Sequence, residues 1–232
     1  MAEKQQMTDG VLIAGATRGT GLEVARLLSE RGEDVTALVR PTADLKKILQ
    51  LKVKLCRGDV LDPKAVQAAL ASGDFRAVVC TVGGKRGEPR PDYHGTRNLV
   101  DAALATGVRR FVFVTAVGSG DSRANVHPKV LEFLGAVLEE KTRAEDYLMA
   151  SGLEYTILRP GGMADDPASG TAIRTEDRHV MGVINRADLA RLVVDCLDDP
   201  TTIGHIYHAV DPAIQRQPPL QRGEDLPGGR IT

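Results

Sequence analysis

The sequence predicts a single α/β domain with a doubly wound parallel sheet. Short apolar runs of strand length alternate with longer amphipathic stretches of helical period along most of the chain. Strands that alternate with helices in this way require a parallel sheet covered on both faces. The 232 residues, 42% of them hydrophobic, can build one large core but not two ordinary domains.

The first unit is a strand followed by a glycine turn and a helix. Residues 11–14 are apolar, and the turn 15–21 has the sequence Gly-Ala-Thr-Arg-Gly-Thr-Gly before an amphipathic stretch begins. A side chain at Gly15 or Gly19 would obstruct the turn or an approaching ligand, and one at Gly21 would hold the helix off the strand. The free amides at the helix start favour an anion. We therefore expect a pyrophosphate to bind here.

The remaining elements follow in strict alternation. Asp62 and Pro63 predict a helix start, and Gly32 and Gly107 predict helix ends. Asp188 is predicted to cap the last helix. Further strands are expected at 34–39, 53–56, 77–81, 110–115, 154–158 and 205–209, and helices at 62–70, 93–106, 129–150 and 186–197. The sequence thus predicts a Rossmann-type sheet whose ligand lies at the carboxyl ends of the strands.

Charge and cysteine placement exclude several function classes. Lys and Arg number 30 and Asp and Glu 31, for a net charge of -1, and no basic block is present, so nucleic acid is not an expected partner. Cys56, Cys80 and Cys196 are widely spaced and form no CxxC, which argues against disulfides and against a metal site. No apolar segment reaches signal-peptide or membrane-spanning length, so we expect a cytoplasmic protein without membrane contact.

Composition divides the chain into three parts. Residues 1–10 form a polar N-terminal segment, and residues 11–212 form the predicted nucleotide-binding domain together with its substrate loops. Residues 213–232 are rich in Pro, Gly, Gln and Arg, which is typical of a mobile tail or of an arm that lies on a neighbour. A small-molecule substrate is expected. A homo-oligomer and a partner bound through the tail both stay open.

The end of the second strand indicates which nicotinamide cofactor is preferred. An acidic residue there would bind a ribose 2′-hydroxyl, but the sequence has Val39 and Arg40. Arg40 and Arg18, which lies inside the glycine turn, can both pair with a 2′-phosphate. These residues predict NADP(H) rather than NAD(H). The alternative is that Arg40 is a solvated loop residue and Arg18 only faces water.

Two further segments are candidates for cofactor contacts. A carboxylate at Asp59, after the third strand, can accept from the adenine amino group while the amide of Val60 faces the ring. The alternative role for Asp59 is a helix cap shared with Asp62. After the fourth strand, Gly83 would let the backbone lie against the cofactor.

These motifs together resemble an atypical short-chain dehydrogenase/reductase. The similarity is greatest to the single-domain NAD(P)H-binding branch that includes flavin reductase and biliverdin-IXβ reductase-like proteins, and it covers most of residues 11–211. The segments that carry it are GATRGTG, Arg40, GDVLD, TVGG, YHGTRNLVDAAL, RRFVFVTAVG, EEKTRAEDYLMASGLEYTILRPGG and INRADLARLVVDCL. With the glycine turn, the resemblance implies cofactor contacts at Gly15, Thr17, Arg18, Gly19, Thr20, Gly21, Arg40, Asp59, Val60, Gly83, Thr115, Lys141, Pro160 and Gly161.

The chain departs from the dehydrogenase pattern at the proton donor. In the wider superfamily a tyrosine four residues before a lysine protonates the substrate carbonyl, but Val137 holds that position before Lys141, and no Tyr-x-x-x-Lys exists in the chain. The usual serine after the fifth strand is also replaced, by Thr115 and Ala116. An electron-poor acceptor such as a flavin or tetrapyrrole can take its proton from water, so hydride transfer stays compatible with the sequence.

Polar residues at and after the fifth strand are candidates to replace the missing acid. Thr115, Ser119, His127 and Lys141 are the candidate catalytic residues. The structural alternatives are that His127 merely enters the helix before Pro128, and that Thr115 and Ser119 only bind the cofactor or backbone. Arg159 is expected either to anchor the loop before Pro160 or to bind a substrate anion.

Three functions stay open from the sequence. The first is an NADPH-dependent reductase of a small conjugated acceptor, such as a carbonyl, enone, quinone, flavin or tetrapyrrole. The second is a non-catalytic NADP(H)-binding sensor or scaffold, which the missing tyrosine and serine favour. The third is an isomerase or epimerase that recycles its cofactor.

Overall fold

The computed structural model describes residues 10–84 and 90–214. Within these ranges the strands are β1 (Gly10–Ala14), β2 (Val35–Val39), β3 (Lys54–Arg57), β4 (Phe75–Cys80), β5 (Arg110–Val114), β6 (Glu154–Pro160), β7 (Gly162–Ala164), β8 (Ile173–Thr175), β9 (Val183–Asn185) and β10 (His205–Val210). The helices are α1 (Gly19–Glu30), α2 (Pro63–Leu70), α3 (His94–Thr106), α4 (Pro128–Ala150) and α5 (Arg186–Asp198). Most of the terminal segments 1–10 and 213–232 lies outside the described ranges, so the predicted three-part division stays a prediction.

The main sheet has the doubly wound topology that the sequence predicts. Its strand order is β3-β2-β1-β4-β5-β6-β10-β8, and every neighbouring pair except the last is parallel. The chain builds outward from β1 to β3 on one side and then returns to β4 on the other. The switch point therefore lies between β1 and β4, where such sheets open a crevice for ligands.

Three short strands were not predicted. β8 pairs antiparallel with β10 at the sheet edge, and β7 pairs with β9 in a separate two-stranded sheet. Each of the three has only three residues, which is too few to show a periodic pattern in sequence. The prediction of strict alternation is therefore wrong after β6. It is also wrong between β2 and β3, which are separated only by the 3-10 helix Ile48–Gln50. The longer strands and helices are confirmed with small shifts at their ends.

The predicted helix caps are confirmed at Asp62 and Gly107 and wrong at Asp188, and Gly32 follows the last residues of α1 in the left-handed conformation at φ +78°, as predicted. Asp62 accepts a hydrogen bond from the Lys64 amide at 3.0 Å, and Gly107 closes α3 in the left-handed conformation at φ +79°. Asp188, however, is not the cap of α5, since that position belongs to Asn185. Asp188 lies inside the first turn and accepts from the amides of Ser169 and Gly170. Its buried carboxylate anchors a distant loop instead.

The core lies on both faces of the sheet. Successive residues of β1 are all fully buried, because alternate side chains enter opposite layers. The layer of α1 and α5 includes Val11, Ile13, Val24, Leu28, Leu189 and Val193. The layer of α2, α3 and α4 includes Leu12, Leu99, Phe111, Phe113 and Leu148.

Helix α4 is longer than the neighbouring strand β6. Its 23 residues span about 34 Å, whereas the seven residues of β6 span about 23 Å. The buried residues of α4 begin only at Leu138. As the crossover from β5 to β6, α4 runs antiparallel to the strands, so its first ten residues extend past their carboxyl ends.

The close contact at Gly21 yields a stability prediction. A Cβ there would lie 2.4 Å from both the Gly15 carbonyl oxygen and Thr81 Oγ1, so Gly21→Ala must displace α1 from the sheet. We expect a loss of roughly 1–3 kcal/mol in the free energy of unfolding, measured by urea denaturation. Gly73→Ala is the control, because a Cβ at Gly73 meets nothing closer than the Phe75 ring at 3.5 Å. Equal effects of the two substitutions would contradict the prediction.

Candidate functional site

A cleft of about 720 Å³ lies at the carboxyl edge of the sheet. It is built from the segments that follow five neighbouring parallel strands, which is where a doubly wound fold binds its ligand. The lining segments are residues 15–21, 38–40, 58–61, 81–84 and 114–116, and Ala43, Lys47, Arg90, Pro91, Asp92, Lys141, Met163, Asp165 and Arg186 complete the wall.

The glycine turn and the start of α1 form the middle of this cleft. Gly15 and Gly19 adopt positive φ angles of +96° and +55°, which side chains disfavour. Arg18 occupies the cap position of α1 without a side-chain bond to the helix, and the first turn carries no acidic residue. The amides of that turn are thus left for a ligand anion. This arrangement fits the diphosphate of a dinucleotide.

Exposed cations surround the end of the cleft at β2. Arg18 and Arg40 both line it, as the NADP hypothesis requires, and Lys47 joins them. The sequence analysis missed Lys47, because it lies seven residues beyond Arg40 outside any recognised motif. No carboxylate stands at the end of β2. This half of the cleft therefore favours an anionic group.

Asp59 and Val60 also line the cleft, and their backbone is fixed. Asp59 Oδ1 accepts from the Leu61 amide at 2.9 Å and so closes a turn of its own. The helix cap belongs to Asp62 alone. The Val60 carbonyl accepts from Asn98 Nδ2 at 2.8 Å, which ties the segment after β3 to α3.

The opposite end of the cleft contains a buried carboxylate that the sequence analysis did not identify. Asp92 Oδ1 lies 3.1 Å from Lys141 Nζ, and Asp92 Oδ2 lies 3.0 Å from Arg90 Nη2. The Gly84 amide donates to Oδ2 at 3.4 Å. The Asp92 side chain is fully buried. It therefore holds the Lys141 ammonium group against the cleft wall and joins α4 to the segment after β4.

Thr115 lines the cleft, but its hydroxyl group already donates a hydrogen bond within the protein. Its Oγ1 donates to Glu145 Oε1 at 2.6 Å, and the fully buried Glu145 also accepts from Arg159 Nη2 at 2.7 Å and Nε at 3.1 Å. Burial disfavours the charged form of Arg159 and by itself lowers its pKa. The hydrogen bonds and charges of Glu145 and Asp121 have the larger combined effect, so the pKa of Arg159 is raised. Glu145 thus accepts from both Thr115 and Arg159, and Thr115 offers the cleft only its oxygen lone pairs.

Arg159 acts as an internal anchor rather than as a substrate contact. It is 1% exposed and does not line the cleft. Besides Glu145 it binds Asp121, whose second oxygen accepts from Arg178 Nε at 3.0 Å. These pairs tie the end of β6 to the segments after β5 and β8.

The other candidates of the sequence analysis lie away from the cleft wall. Ser119 is fully buried, and His127 caps α4 by accepting from the Lys129 amide at 3.2 Å. Pro160 and Gly161 also lie off the wall. Gly161 packs against the backbone, since a Cβ there would lie 2.1 Å from the Gly182 carbonyl oxygen.

Residues a little further along the chain than Pro160 and Gly161 do line the cleft, namely Met163 and Asp165. Asp165 is paired with Arg186 at 2.8 Å, and the Arg186 side chain lies beside Gly19. The loop after β6 therefore contributes to the wall, but not through the two residues that the resemblance implied.

Among the described residues, no group of three or more His, Cys, Asp or Glu side chains is placed to hold a metal ion. Burial raises the pKa of the Cys80 thiol to about 11. In residues 10–84 and 90–214, no helix is both long and apolar enough to cross a membrane.

Comparison with known proteins assigns the family. A family model described as NAD(P)H-binding matches residues 15–200, which include the glycine turn, the cleft segments and α5. The chain belongs to this NAD(P)H-binding family. The expected relationship to atypical short-chain dehydrogenase/reductases is thereby confirmed, and a nicotinamide cofactor fits the cleft.

Relatives of this NAD(P)H-binding chain include proteins of plants and bacteria. An uncharacterised chloroplastic protein of Arabidopsis thaliana is 34% identical over 84% of this chain and 74% of its own length. Protein TIC 62 of Pisum sativum, also chloroplastic, is 31% identical over 82% of this chain, which spans only 40% of that protein. The structure of ChuY, described as an anaerobillin reductase from Escherichia coli O157:H7, is 30% identical with a TM-score of 0.82, and the match covers 90% of this chain and all of ChuY. The cytoplasmic location stays a prediction.

The buried ion pair of Asp92 yields a second prediction. Asp92→Asn keeps the side-chain shape but leaves Lys141 and Arg90 without their carboxylate, so we expect a loss of roughly 3–5 kcal/mol in the free energy of unfolding. Asp34→Asn is the control, because its pair with Lys54 is exposed on both sides and should be worth less than about 1 kcal/mol. Urea denaturation of both variants measures the difference. If Asp92→Asn lowers the free energy of unfolding no more than Asp34→Asn does, the ion pair of Asp92 does not stabilise the fold as expected.

Proposed function

We propose that this NAD(P)H-dependent oxidoreductase uses NADPH to reduce an electron-poor conjugated acceptor, with the proton supplied by solvent. One observation carries the proposal. Among the described residues that line the cleft there is no Tyr, His, Cys or Ser, although the residues expected to hold the cofactor, other than Pro160 and Gly161, are present. The cleft is thus equipped to bind a dinucleotide and lacks the usual acids of carbonyl reduction.

The cofactor would be held along the whole cleft. The amides of the first turn of α1 would bind the diphosphate, while Asp59 and the Val60 amide would bind the adenine. Arg18, Arg40 and Lys47 would bind a 2′-phosphate through charge-assisted hydrogen bonds. Lys141 would bind the nicotinamide ribose, and the backbone at Gly83 would lie against the cofactor. When bound, the nicotinamide supplies a hydride.

The residues near Lys141 favour an acceptor that spreads negative charge over a conjugated system. The Lys141 ammonium group is fixed by Asp92 and would stabilise that charge as it develops. Thr115 can only accept a hydrogen bond, so it would orient the nicotinamide amide rather than protonate the acceptor. A delocalised anion can then be protonated by water. A simple ketone would need a stronger acid.

Two alternatives differ in what they predict for turnover. The missing tyrosine and serine favour a non-catalytic NADP(H) sensor or scaffold, which would bind NADPH tightly and oxidise none. An isomerase or epimerase would recycle the cofactor without net consumption. The similarity to a protein described as an anaerobillin reductase supports the reductase.

The preference for NADPH is testable at Arg40. Arg40→Asp places a carboxylate where the 2′-phosphate would lie, so the Kd for NADPH should rise roughly tenfold or more, which is at least about 1.4 kcal/mol, while the Kd for NADH should change little. Fluorescence titration of each nucleotide measures this. Arg57→Asp is the control, because Arg57 is also exposed at a strand end but lies off the cleft wall. If the Kd for NADPH is unchanged in Arg40→Asp, Arg40 does not bind the 2′-phosphate and is a solvated loop residue.

The reductase itself is tested with a panel of quinones, flavins, tetrapyrroles and enones. We expect at least one acceptor to oxidise NADPH above background, followed by the loss of NADPH absorbance. Thr115→Val should keep kcat within about tenfold, because general acid catalysis is typically worth more than that. Lys141→Met should lower kcat more strongly, since it removes the fixed charge. Tight NADPH binding with no oxidation by any acceptor would favour the sensor.

A further inference from the structure

Arg186 places a guanidinium group beside the start of α1. It is the first residue of α5, and it lines the cleft. A Cβ at Gly19, the first residue of α1, would lie 3.4 Å from both Cδ and Nε of Arg186. The Arg186 side chain therefore lies against the turn whose amides face the cleft.

The packing of α1 on α5 explains why these two residues meet. The two helices share one core layer, and both begin at the carboxyl edge of the sheet. The positive ends of their dipoles thus lie side by side, and the guanidinium group of Arg186 adds a full charge. This part of the cleft favours a ligand group with more than one negative charge.

A carboxylate of the protein itself is bound to Arg186. Asp165 Oδ1 accepts a hydrogen bond from Arg186 Nη1 at 2.8 Å. The Asp165 side chain is 84% exposed, whereas that of Arg186 is 27% exposed. Among the residues that the structure describes, neither side chain has another hydrogen-bond or ion-pair partner. An ion pair so open to solvent contributes little stability, so exchanging Asp165 for another anion costs little.

The chain on either side of Asp165 is fixed independently of this ion pair. Before it, β7 pairs with β9. After it, the Pro167 carbonyl accepts from Asn185 Nδ2 at 3.0 Å, and the Gly170 amide donates to the buried Asp188 at 3.0 Å. The Asp165 side chain can therefore rotate into solvent while the loop keeps its attachments to the start of α5.

We propose that Arg186 binds the diphosphate of the dinucleotide and that Asp165 occupies Arg186 until the dinucleotide arrives. On binding, Arg186 exchanges the carboxylate of Asp165 for phosphate oxygens, and Asp165 turns into solvent. Charge-assisted bonds to a diphosphate are stronger than one exposed ion pair, so the exchange is favourable. The proposal rests on the dinucleotide placement given under the proposed function and adds two residues to it, one that binds and one that competes.

The sign of one substitution separates this exchange from a permanent clamp. If the ion pair only fastens the loop to α5, Asp165→Asn loosens the cleft wall and weakens nucleotide binding. If Asp165 competes with the diphosphate, Asp165→Asn frees Arg186 and tightens nucleotide binding.

The experiment measures the Kd for NADPH and NADH by fluorescence titration and the Kd for ADP by displacement of NADPH. We expect Asp165→Asn to lower all three Kd values by up to about fivefold, which is the most that an exposed ion pair can withhold. Arg186→Met should raise all three roughly tenfold or more, and Arg186→Lys should raise them less because it keeps the charge. NADH and ADP lack the 2′-phosphate, so equal effects on the three ligands identify the diphosphate as the group that Arg186 binds.

Two control variants should leave every Kd unchanged. Arg191→Met removes another half-buried arginine of α5 that lies off the cleft wall. Asp34→Asn breaks another exposed ion pair, with Lys54, also away from the cleft.

Unchanged binding of NADH and ADP by Arg186→Met overturns the proposal, and so does weaker binding by Asp165→Asn. If Arg186→Met does not fold, Asp165→Asn decides, because the absence of tighter binding in that variant overturns the exchange. No acceptor enters these titrations. Failure of every acceptor to oxidise NADPH therefore removes the reductase and leaves the exchange standing, and an unchanged Kd for NADPH in Arg40→Asp removes only the preference for the 2′-phosphate.

Discussion

The close approach of α1 to β1 and β4 is the constraint on which the rest of the molecule depends. Gly21 leaves no room for a Cβ between the Gly15 carbonyl and Thr81. Because this contact sits at the switch point of the sheet, it also fixes the direction in which the first amides of α1 face the cleft. A helix held further away would weaken both the core packing of α1 on α5 and the anion site at its start.

The two ends of the cleft are built on different electrostatic principles. At the β2 end the cations are exposed and can adjust to a ligand phosphate, which suits binding. At the Lys141 end the charges are paired in the interior, Lys141 with Asp92 and Glu145 with Arg159. Buried pairs add little net stability but are costly to break. They hold Lys141 and Thr115 in one geometry at this end of the cleft.

The separation of these roles explains how the family fold can keep its cofactor cleft while the usual tyrosine is absent. The proposed cofactor contacts lie at the turn, the start of α1 and the exposed cations, and none of these involves Val137. The tyrosine position, Val137, lies instead within the first ten residues of α4 and is not part of the cleft wall.

Local chemistry determined much of this protein from sequence alone. Strand and helix periodicity, the glycine turn, Asp62 and Gly107 act over a few residues, so the parallel sheet, its helices and the ligand-binding edge with Arg18 and Arg40 were predictable. Lys141 followed only from the family resemblance. The tertiary structure alone decided the partners of those residues. Asp92 with Lys141, Glu145 with Thr115 and Asp188 with the 169–170 loop join segments far apart in the chain, and no periodic pattern records such contacts. The overhang of α4 likewise depends on where the sheet ends, which is a property of the packed molecule.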